Sequence, residues 1–270
     1  MPIIEANGRK LHVGGRLRPR PHAPRLALAH YLRAAPLPPY PLSVDYAFKG
    51  SPAIHQIYLN DQLGDCVPAG AAHLIGAWTG NAGSPAIFAP AAIEAAYRNF
   101  SGGAYPTQDS GCDEEFALNY WAANGFAPGA ETPHKIVAWV AVDATSRWEV
   151  KMAVWLFGGL MSGVELPDAW LNPGPEGDGF VFDVAGPAVP SNGHCMTHFS
   201  YDQDGIGVAT WGMYGRLTWA ALAEYMSAKN NGALYAAVSE DALIAATRKA
   251  PNGFDAAQLL ADARRFGFAR

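Results

Sequence analysis

The sequence predicts an α+β fold of two lobes, because helical patterns dominate its first half and strand patterns its second. Apolar residues at helical spacing predict helices at residues 66–78, 90–100, 113–124, 146–157, 218–227 and 255–264. Short apolar runs predict strands at residues 137–142, 160–166, 196–201, 206–211 and 234–238. A cleft between two lobes is a usual place for a ligand site, so we expect function to lie there.

Signals at the ends of these elements support the assignments. Pro68 fits the first turn of the first helix, and Gly125 is a typical stop after the third. Ser146 and Glu149 form the capping-box pattern that opens the fourth helix. Residues 167–192 are rich in Gly and Pro, which predicts a long loop before the last strands.

The composition is that of a globular protein. Half of the 270 residues are apolar and 16% are charged. The formal net charge of −5 offers no general argument for nucleic-acid binding, and no apolar run is long enough to span a membrane. Residues 1–20 lack the apolar stretch of a signal peptide, and three cysteines cannot all pair. We therefore expect synthesis in a bacterial cytoplasm without a signal peptide, and neither a nucleic-acid nor a membrane partner.

Residues 1–43 differ from the rest of the chain in charge and in proline content. They hold six Arg and one Lys against one Glu, and eight of the 21 prolines. This balance of +6 leaves −11 on the remaining residues. Dense proline favours extended chain, so we expect a basic N-terminal arm with one short helix at residues 26–33. Three interpretations of the arm remain open: a disordered tail, an arm clamped on an acidic neighbour, and a short pro-segment.

The rest of the chain is expected to form one two-lobed domain and a tail. The domain is predicted at residues 44–240, with a helical lobe at about 44–140 and a β lobe at about 141–240. Residues 241–270 are predicted to be a C-terminal helical extension.

The three chemical groups that a thiol hydrolase needs occur in this domain. Cys66 lies at the start of a predicted helix, where backbone amides favour a thiolate. His194 follows 128 residues later and supplies a base for the thiol proton. An amide that can stabilise an oxyanion precedes the thiol, with Asn60 preferred and Gln62 as the alternative. A nucleophile, a base and an oxyanion donor together predict nucleophilic catalysis.

Several segments resemble the papain-like cysteine peptidases in order and spacing. Residues 44–50 (Val-Asp-Tyr-Ala-Phe-Lys-Gly) resemble the Val-Asp-Trp opening of the mature domain, and 63–66 (Leu-Gly-Asp-Cys) the nucleophile motif. Residues 111–115 (Gly-Cys-Asp-Glu-Glu) resemble the family's Gly-Cys-Asn-Gly-Gly segment. Residues 193–196 (Gly-His-Cys-Met) and 210–212 (Thr-Trp-Gly) resemble its Gly-His-Ala-Val and Asn-Ser-Trp-Gly motifs. The Asn-Asp-x-x-Gly-Asp-Cys form that ends at the thiol is similar to papain-fold proteins of bacteriophages and some bacteria.

The resemblance implies a two-lobed papain-like fold and a catalytic role for Cys66 and His194. It also exposes a departure, because the family's orienting Asn falls on Ala209, which cannot hold an imidazole. Thr210 is adjacent, but we expect it to point to the opposite face of the strand. The family partner of Cys112 falls on Leu63, so we expect no disulfide there.

Two functions from different classes therefore remain. The first is a papain-like thiol hydrolase, a peptidase or amidase acting on a peptide-like substrate. The second is a catalytically weak or silent papain-fold component of a phage virion, held to protein neighbours through residues 1–43. Neither needs a cofactor. We also expect no metal, since His194 and His198 lie on a predicted strand and lack the Glu of a zinc-protease motif.

Overall fold

The computed structural model describes residues 3–6, 8–20, 25–32, 39–126, 134–250 and 253–267. The helices within these ranges are α1 (Ala47–Ile54), α2 (Cys66–Ala82), α3 (Pro90–Phe100), α4 (Glu114–Asn124), α5 (Arg147–Phe157), α6 (Trp219–Tyr225), α7 (Glu240–Lys249) and α8 (Ala256–Arg265). The strands are β1 (Ile3–Ala6), β2 (Arg9–His12), β3 (Val44–Asp45), β4 (Ala138–Ala141), β5 (Leu160–Glu165), β6 (Val181–Phe182), β7 (Gly193–His198), β8 (Ser200–Tyr201), β9 (Gly205–Thr210), β10 (Met213–Thr218) and β11 (Ala233–Val238). No helix in these ranges is long and apolar enough to cross a membrane.

One large sheet organises the second half of the chain. Its strands lie in the order β3, β8, β9, β7, β5, β11 and β4, and β10 pairs with β9 and with β6. Among the described residues every pair in this sheet is antiparallel except β10 with β6. The helices α1 to α4 precede most of these strands, so the predicted α+β class is confirmed.

Helix α2 is the central helix, and glycines let its neighbours approach closely. A Cβ at Gly76 would overlap the side chain of Ala53 in α1, and one at Gly80 would lie 2.5 Å from the carbonyl oxygen of Lys49. On the other side, a Cβ at Gly70 would lie 3.2 Å from the sulfur of Cys195 in β7. Helix α2 is therefore packed closely against α1 on one side and against β7 of the sheet on the other.

The described residues of the predicted arm lie along the body. β1 and β2 form a separate two-stranded antiparallel sheet. Leu11 of β2 is buried in the core, and so are Val13, Leu28 and Tyr31 beyond this sheet. The short helix predicted at 26–33 is a single 3₁₀ turn at Leu28–His30. These residues have lost the conformational freedom of a free tail because their apolar side chains are removed from water.

The C-terminal residues pack against the same N-terminal segment. The backbone amide of Asp255 donates to the carbonyl of Tyr31, whose hydroxyl donates to Asp262 at 3.1 Å. Leu259 and Ala263 of α8 are fully buried. Helix α8 and the residues around Tyr31 therefore pack against each other.

Two further predicted elements differ from those in the structure. The strand predicted at 196–201 begins earlier, at Gly193, and is divided at Phe199, whose carbonyl accepts from the amide of Tyr46. The capping box at Ser146 is half formed, because the hydroxyl accepts from the Glu149 amide while the Glu149 carboxylate accepts from Asp143. The division of the strand depends on a contact distant in sequence, whereas the capping box is altered by a neighbouring residue, Asp143.

Candidate active site

Cys66 is the first residue of α2, and its side chain is buried. Asp65 occupies the N-cap position, but its carboxylate accepts no hydrogen bond from the first turn of the helix. It accepts instead from the side-chain amide of Asn60, with Nδ2 and Oδ1 3.2 Å apart. The first amides of α2 are therefore not occupied by the Asp65 side chain, and their partial positive charge favours a thiolate at Cys66.

His194 is held by groups from the hairpin that joins β9 and β10. Its Nε2 lies 2.8 Å from Oγ1 of Thr210. Its ring stacks on Trp211, with centroids 4.5 Å apart and planes inclined by 22°. Within the described part of the chain, Nδ1 of His194 has no hydrogen-bond partner, and it is not hydrogen-bonded to the Cys66 thiol. The imidazole is thus oriented through one nitrogen while the other is unoccupied.

The expectation that Thr210 would point away from His194 is wrong. Ala209 stands at the position of the family's orienting Asn, and it has no polar side chain to offer. Neighbouring side chains on a strand still alternate, so the error lay in expecting position 209 to be the one that faces His194. The hydroxyl of Thr210 occupies the orienting position that Ala209 leaves empty.

The two candidate oxyanion donors differ in position. Asn60 is buried, whereas Gln62 is exposed and its amide reaches only the neighbouring Asp61 carboxylate, at 3.4 Å. Asn60 Nδ2 donates to Asp65 and, at 3.4 Å, to the carbonyl of Leu63. Asn60 lines the same cavity as Cys66, whereas Gln62 does not line it.

A small cavity brings these residues together. It has a volume of about 10 Å³, enough for roughly one water molecule. Its lining includes Asn60, Cys66, His194, Ala209 and Thr210. A cavity of this size holds no substrate, so the site in this structure is closed.

Residues 11–18, which we name the covering segment, bond to residues on both sides of the closed site. At one end, the amide of His12 donates to the carbonyl of Asn60 at 3.2 Å. The carbonyl of His12 accepts from the indole of Trp211 at 3.4 Å. Asn60 and Trp211 both line the cavity, so His12 bridges two parts of its rim.

The other end of the covering segment is bound on both sides of the cleft. The amide of Gly14 donates to the carbonyl of Gly193, which directly precedes His194, at 2.7 Å. The carbonyl of Gly15 accepts from the amide of Cys112 at 2.9 Å, and the amide of Leu17 donates to the carbonyl of Cys112 at 2.8 Å. The segment therefore has the hydrogen bonding of an extended peptide held between two edges.

Close backbone contacts surround the covering segment. A Cβ at Gly15 would lie 2.5 Å from the carbonyl oxygen of Gly64. A Cβ at Gly111 would overlap Gly15, and one at Gly193 would overlap the carbonyl of Arg16. Only glycine fits at these three positions while the segment is in place.

Arginines of the N-terminal residues pair with carboxylates of the body. The four pairs are Arg16 with Glu114, Arg18 with Glu165, Arg20 with Asp113 and Arg25 with Glu115. The basic charge of residues 1–43 is thus placed on the acidic body of the same chain.

Burial keeps the thiol and the imidazole neutral in this closed form. It raises the pKa of Cys66, an effect that the backbone amide of Cys195 opposes and the charge of Asp65 reinforces. Burial also lowers the pKa of His194 to about 3. A thiolate–imidazolium pair therefore requires that water or polar groups first reach the site.

The remaining candidates are placed as follows. Cys112 and Cys195 are buried free thiols, as is Cys66. His198 lies on β7 inside the sheet, bonded to Ser162 and Gly207. No cluster of three or more metal-binding side chains occurs among the residues that the structure describes.

Sequence reasoning missed Thr210 and the covering segment. A hydroxyl at the strand end, next to Trp211 and close to the missing Asn, was a usable signal for Thr210. The covering segment offered a weaker one, the Gly14-Gly15 pair inside an otherwise Arg-rich stretch. The pairing of Arg16 with Glu114, 98 residues away, had no local signal.

Comparison with known proteins gives relatives at the level of structure alone, since no protein-family model and no curated sequence matches the chain. The fold is similar to that of xylellain, a cysteine protease from Xylella fastidiosa, with a TM-score of 0.61 and 13% identity; the match covers 86% of this chain and 98% of that one. It is also similar to the ragweed pollen cysteine protease Amb a 11 in its proform, with a TM-score of 0.57, 18% identity and coverage of 77% and 68%.

A third similar structure is procathepsin L 3 from the larval midgut of Tenebrio molitor, with a TM-score of 0.56 and 12% identity. That match covers 82% of this chain and 76% of the other. At such identities the comparisons establish the fold, and the predicted papain-like fold is confirmed.

Proposed function

We propose that the chain is a thiol hydrolase, a peptidase or amidase, in which Cys66 is the nucleophile and His194 the base. The observation that carries the proposal is the environment of the imidazole. Thr210 holds its Nε2, Trp211 stacks on its face, and its Nδ1 is free beside the cavity that Cys66 lines. A buried nitrogen without a partner is costly in a purely structural residue, and useful in a base.

The proposed chemistry follows from that arrangement. With its hydrogen on Nε2 directed at Thr210, His194 presents a lone pair at Nδ1 that takes the thiol proton of Cys66. The sulfur attacks the carbonyl carbon of the substrate, and the oxyanion is stabilised by the amides at the start of α2 and by the Asn60 amide, which must first release Asp65 or the Leu63 carbonyl. The imidazolium then protonates the leaving amine, and a water molecule hydrolyses the thioester through the same histidine.

The covering segment supports a peptide-like substrate. Its hydrogen bonds to Gly193 and Cys112 involve only main-chain groups. Any extended peptide can therefore form the same hydrogen bonds. The same contacts make the intact chain latent, because a substrate must first displace residues 11–18.

Active-site labelling tests the proposal. The change that opens the site is Gly15→Ala, whose new Cβ would lie 2.5 Å from Gly64 and should lift the covering segment. In this background we expect Cys66 to react with a thiol-directed electrophile and the chain to hydrolyse peptides. Cys66→Ala should abolish both, whereas Cys112→Ala, at another buried thiol, should preserve both.

The matched control for opening is Gly177→Ala, where a Cβ would meet nothing within 4 Å. Labelling in the Gly15→Ala background that persists after Cys66→Ala would overturn the hydrolase proposal.

A second candidate is a silent papain-fold component of an assembly, held through residues 1–43, as in a phage particle. The filled cleft and the neutral, buried thiol favour it. This candidate expects no Cys66 labelling and no hydrolysis even in the Gly15→Ala background.

A further inference from the structure

One side chain of the covering segment lies in a pocket of its own. The side chains of Arg16 and Glu114 are 0% and 2% exposed, with Nε and Oε2 3.0 Å apart. Nη1 of Arg16 donates to the carbonyl of Asn231 at 2.7 Å. The pocket therefore offers a guanidinium two acceptors in different directions, a carboxylate and a carbonyl.

The other pairs made by N-terminal arginines differ from this one. The arginine side chains of the pairs with Glu165, Asp113 and Glu115 are 53%, 67% and 35% exposed, so solvent reaches them. A fully buried pair costs desolvation that its attraction barely repays, and apolar residues of similar size are often more stable. Stability alone therefore does not account for a carboxylate at the base of this pocket.

The pocket lies beside the proposed nucleophile. The charge of Glu114 raises the pKa of both the Cys66 and the Cys195 thiols, and Cys195 pairs with Gly163 across β7 and β5. Gly163 of β5 forms another wall, where a Cβ would overlap both Glu114 and Arg16. The absence of a side chain at Gly163 is what makes room for the guanidinium.

We propose that this pocket selects an arginine side chain of the peptide substrate, and that Glu114 is the specificity-determining residue. The inference rests on the proposed function. When the covering segment leaves, Glu114 loses its cation while remaining walled by Gly163 and Cys195, and an incoming arginine replaces what Arg16 supplied. Arginine is preferred to lysine because its planar fork reaches Glu114 and the Asn231 carbonyl together.

Peptide binding tests the pocket without requiring turnover. The protein is the full chain carrying Cys66→Ala and Arg16→Ala, which vacates the pocket. The probes are a peptide with the sequence of residues 11–18 and its analogue with citrulline, the neutral isostere, in place of the arginine at position 16. We expect the arginine peptide to bind about tenfold to a hundredfold more tightly. Adding Glu114→Gln should remove the difference.

A small cation gives a second measurement on the same pocket. Methylguanidinium should raise the melting temperature of Arg16→Ala, whereas methylurea, which has the same shape and no charge, should not. Adding Glu114→Gln should cancel the rise. Equal effects of methylguanidinium and methylurea would overturn the proposed arginine pocket. So would a preference for the arginine peptide that survives Glu114→Gln, or a failure of both peptides to bind.

Hydrolysis by the Gly15→Ala chain separates this inference from the proposed function, and it needs no change at Arg16. Equal rates with arginine and citrulline substrates would overturn the arginine pocket and leave the hydrolase. Arginine-selective binding without any hydrolysis would support the pocket and overturn the hydrolase.

Discussion

His194 and His198 lie four residues apart on β7, and their surroundings differ in a way that burial does not reveal. They are 1% and 0% exposed, and burial lowers the pKa of His194 to about 3 and that of His198 to about 4. Both nitrogens of His198 are used, Nδ1 by the Gly207 carbonyl at 3.1 Å and Nε2 by Ser162 Oγ at 2.8 Å. Among the residues that the structure describes, His194 has one hydrogen-bond partner, Thr210, and its Nδ1 has none.

We infer from the difference that an unused nitrogen, more than a lowered pKa, separates the proposed base His194 from His198. An imidazole whose two nitrogens are both hydrogen-bonded stabilises the sheet around it. A ring with one partner is oriented and still able to take a proton. The four predictions that follow test this contrast, from the largest expected effect to the smallest.

Replacing each ring by an amide should separate the two histidines most clearly. In the Gly15→Ala background we expect His194→Gln to reduce peptide hydrolysis by about 10²–10⁴-fold, because the proton acceptor is lost. His198→Gln should lower the melting temperature while preserving most of the rate per folded molecule. Steady-state rates, corrected for the folded fraction, check this. Similar losses of rate in the two variants would remove the distinction.

Removing the partner hydroxyl of each ring is the matched second comparison. Thr210→Val keeps the shape of the side chain but frees Nε2 of His194, and misplacement of the imidazole should cost up to about a hundredfold in rate. Ser162→Ala leaves Nε2 of His198 unsatisfied and should cost about 1–3 kcal/mol of stability. Kinetics and denaturant unfolding of both variants distinguish an orienting role from a structural one. A Thr210→Val chain with an unchanged rate would contradict the orienting role.

The site was only partly predictable from the sequence, and the two histidines show why. The Gly-His pattern, the spacing of His194 from Cys66 and the amide of Asn60 can all be read from the sequence. The structure places these residues around one cavity. Their catalytic roles stay predictions. The contact of His194 with Thr210 depends on the pairing of β7 with β9, which no local pattern determines.

The fold shows the same division between local and distant interactions. Helix α3 has the predicted bounds, 90–100, since Pro90 and its apolar spacing act locally. Helix α1 was missed because it contains Pro52, which a local pattern counts against a helix. It is held instead by its close packing on the glycines of α2. The pair of Arg16 and Glu114 likewise forms only once the whole cleft has assembled.

Opening the cleft should change the titration of one histidine and not of the other. His194 lies under the covering segment, whereas His198 is enclosed by the sheet. In Gly15→Ala, water should reach His194 and its pKa should rise from about 3 toward the ordinary value near 6.5. The pKa of His198 should stay at about 4. NMR titration of the imidazole signals measures both, with Gly177→Ala as the control. Parallel movement of the two pKa values would mean that the segment does not cover His194 selectively.

Acid stability should show the smallest effect, and here the two histidines should behave alike. Each ring is neutral in the folded chain and titrates near 6.5 when unfolded, so the unfolded state binds more protons as the pH falls below 6.5. The stability associated with each neutral ring is fully present above pH 6.5. It declines as the pH falls, until the folded pKa of about 4 for His198 or about 3 for His194 is passed.

Between pH 7 and 5.5 each ring should contribute a loss of about 1 kcal/mol. His194→Gln and His198→Gln should therefore each flatten the fall of melting temperature over this range by roughly 2–4 °C. Calorimetry of the two variants beside the wild type measures it. Equal flattening would show that burial, which the two rings share, controls acid stability, so that only the hydrolysis rates distinguish the two histidines. Flattening in neither variant would mean that the rings are already protonated when folded, and His194 could then no longer be the base.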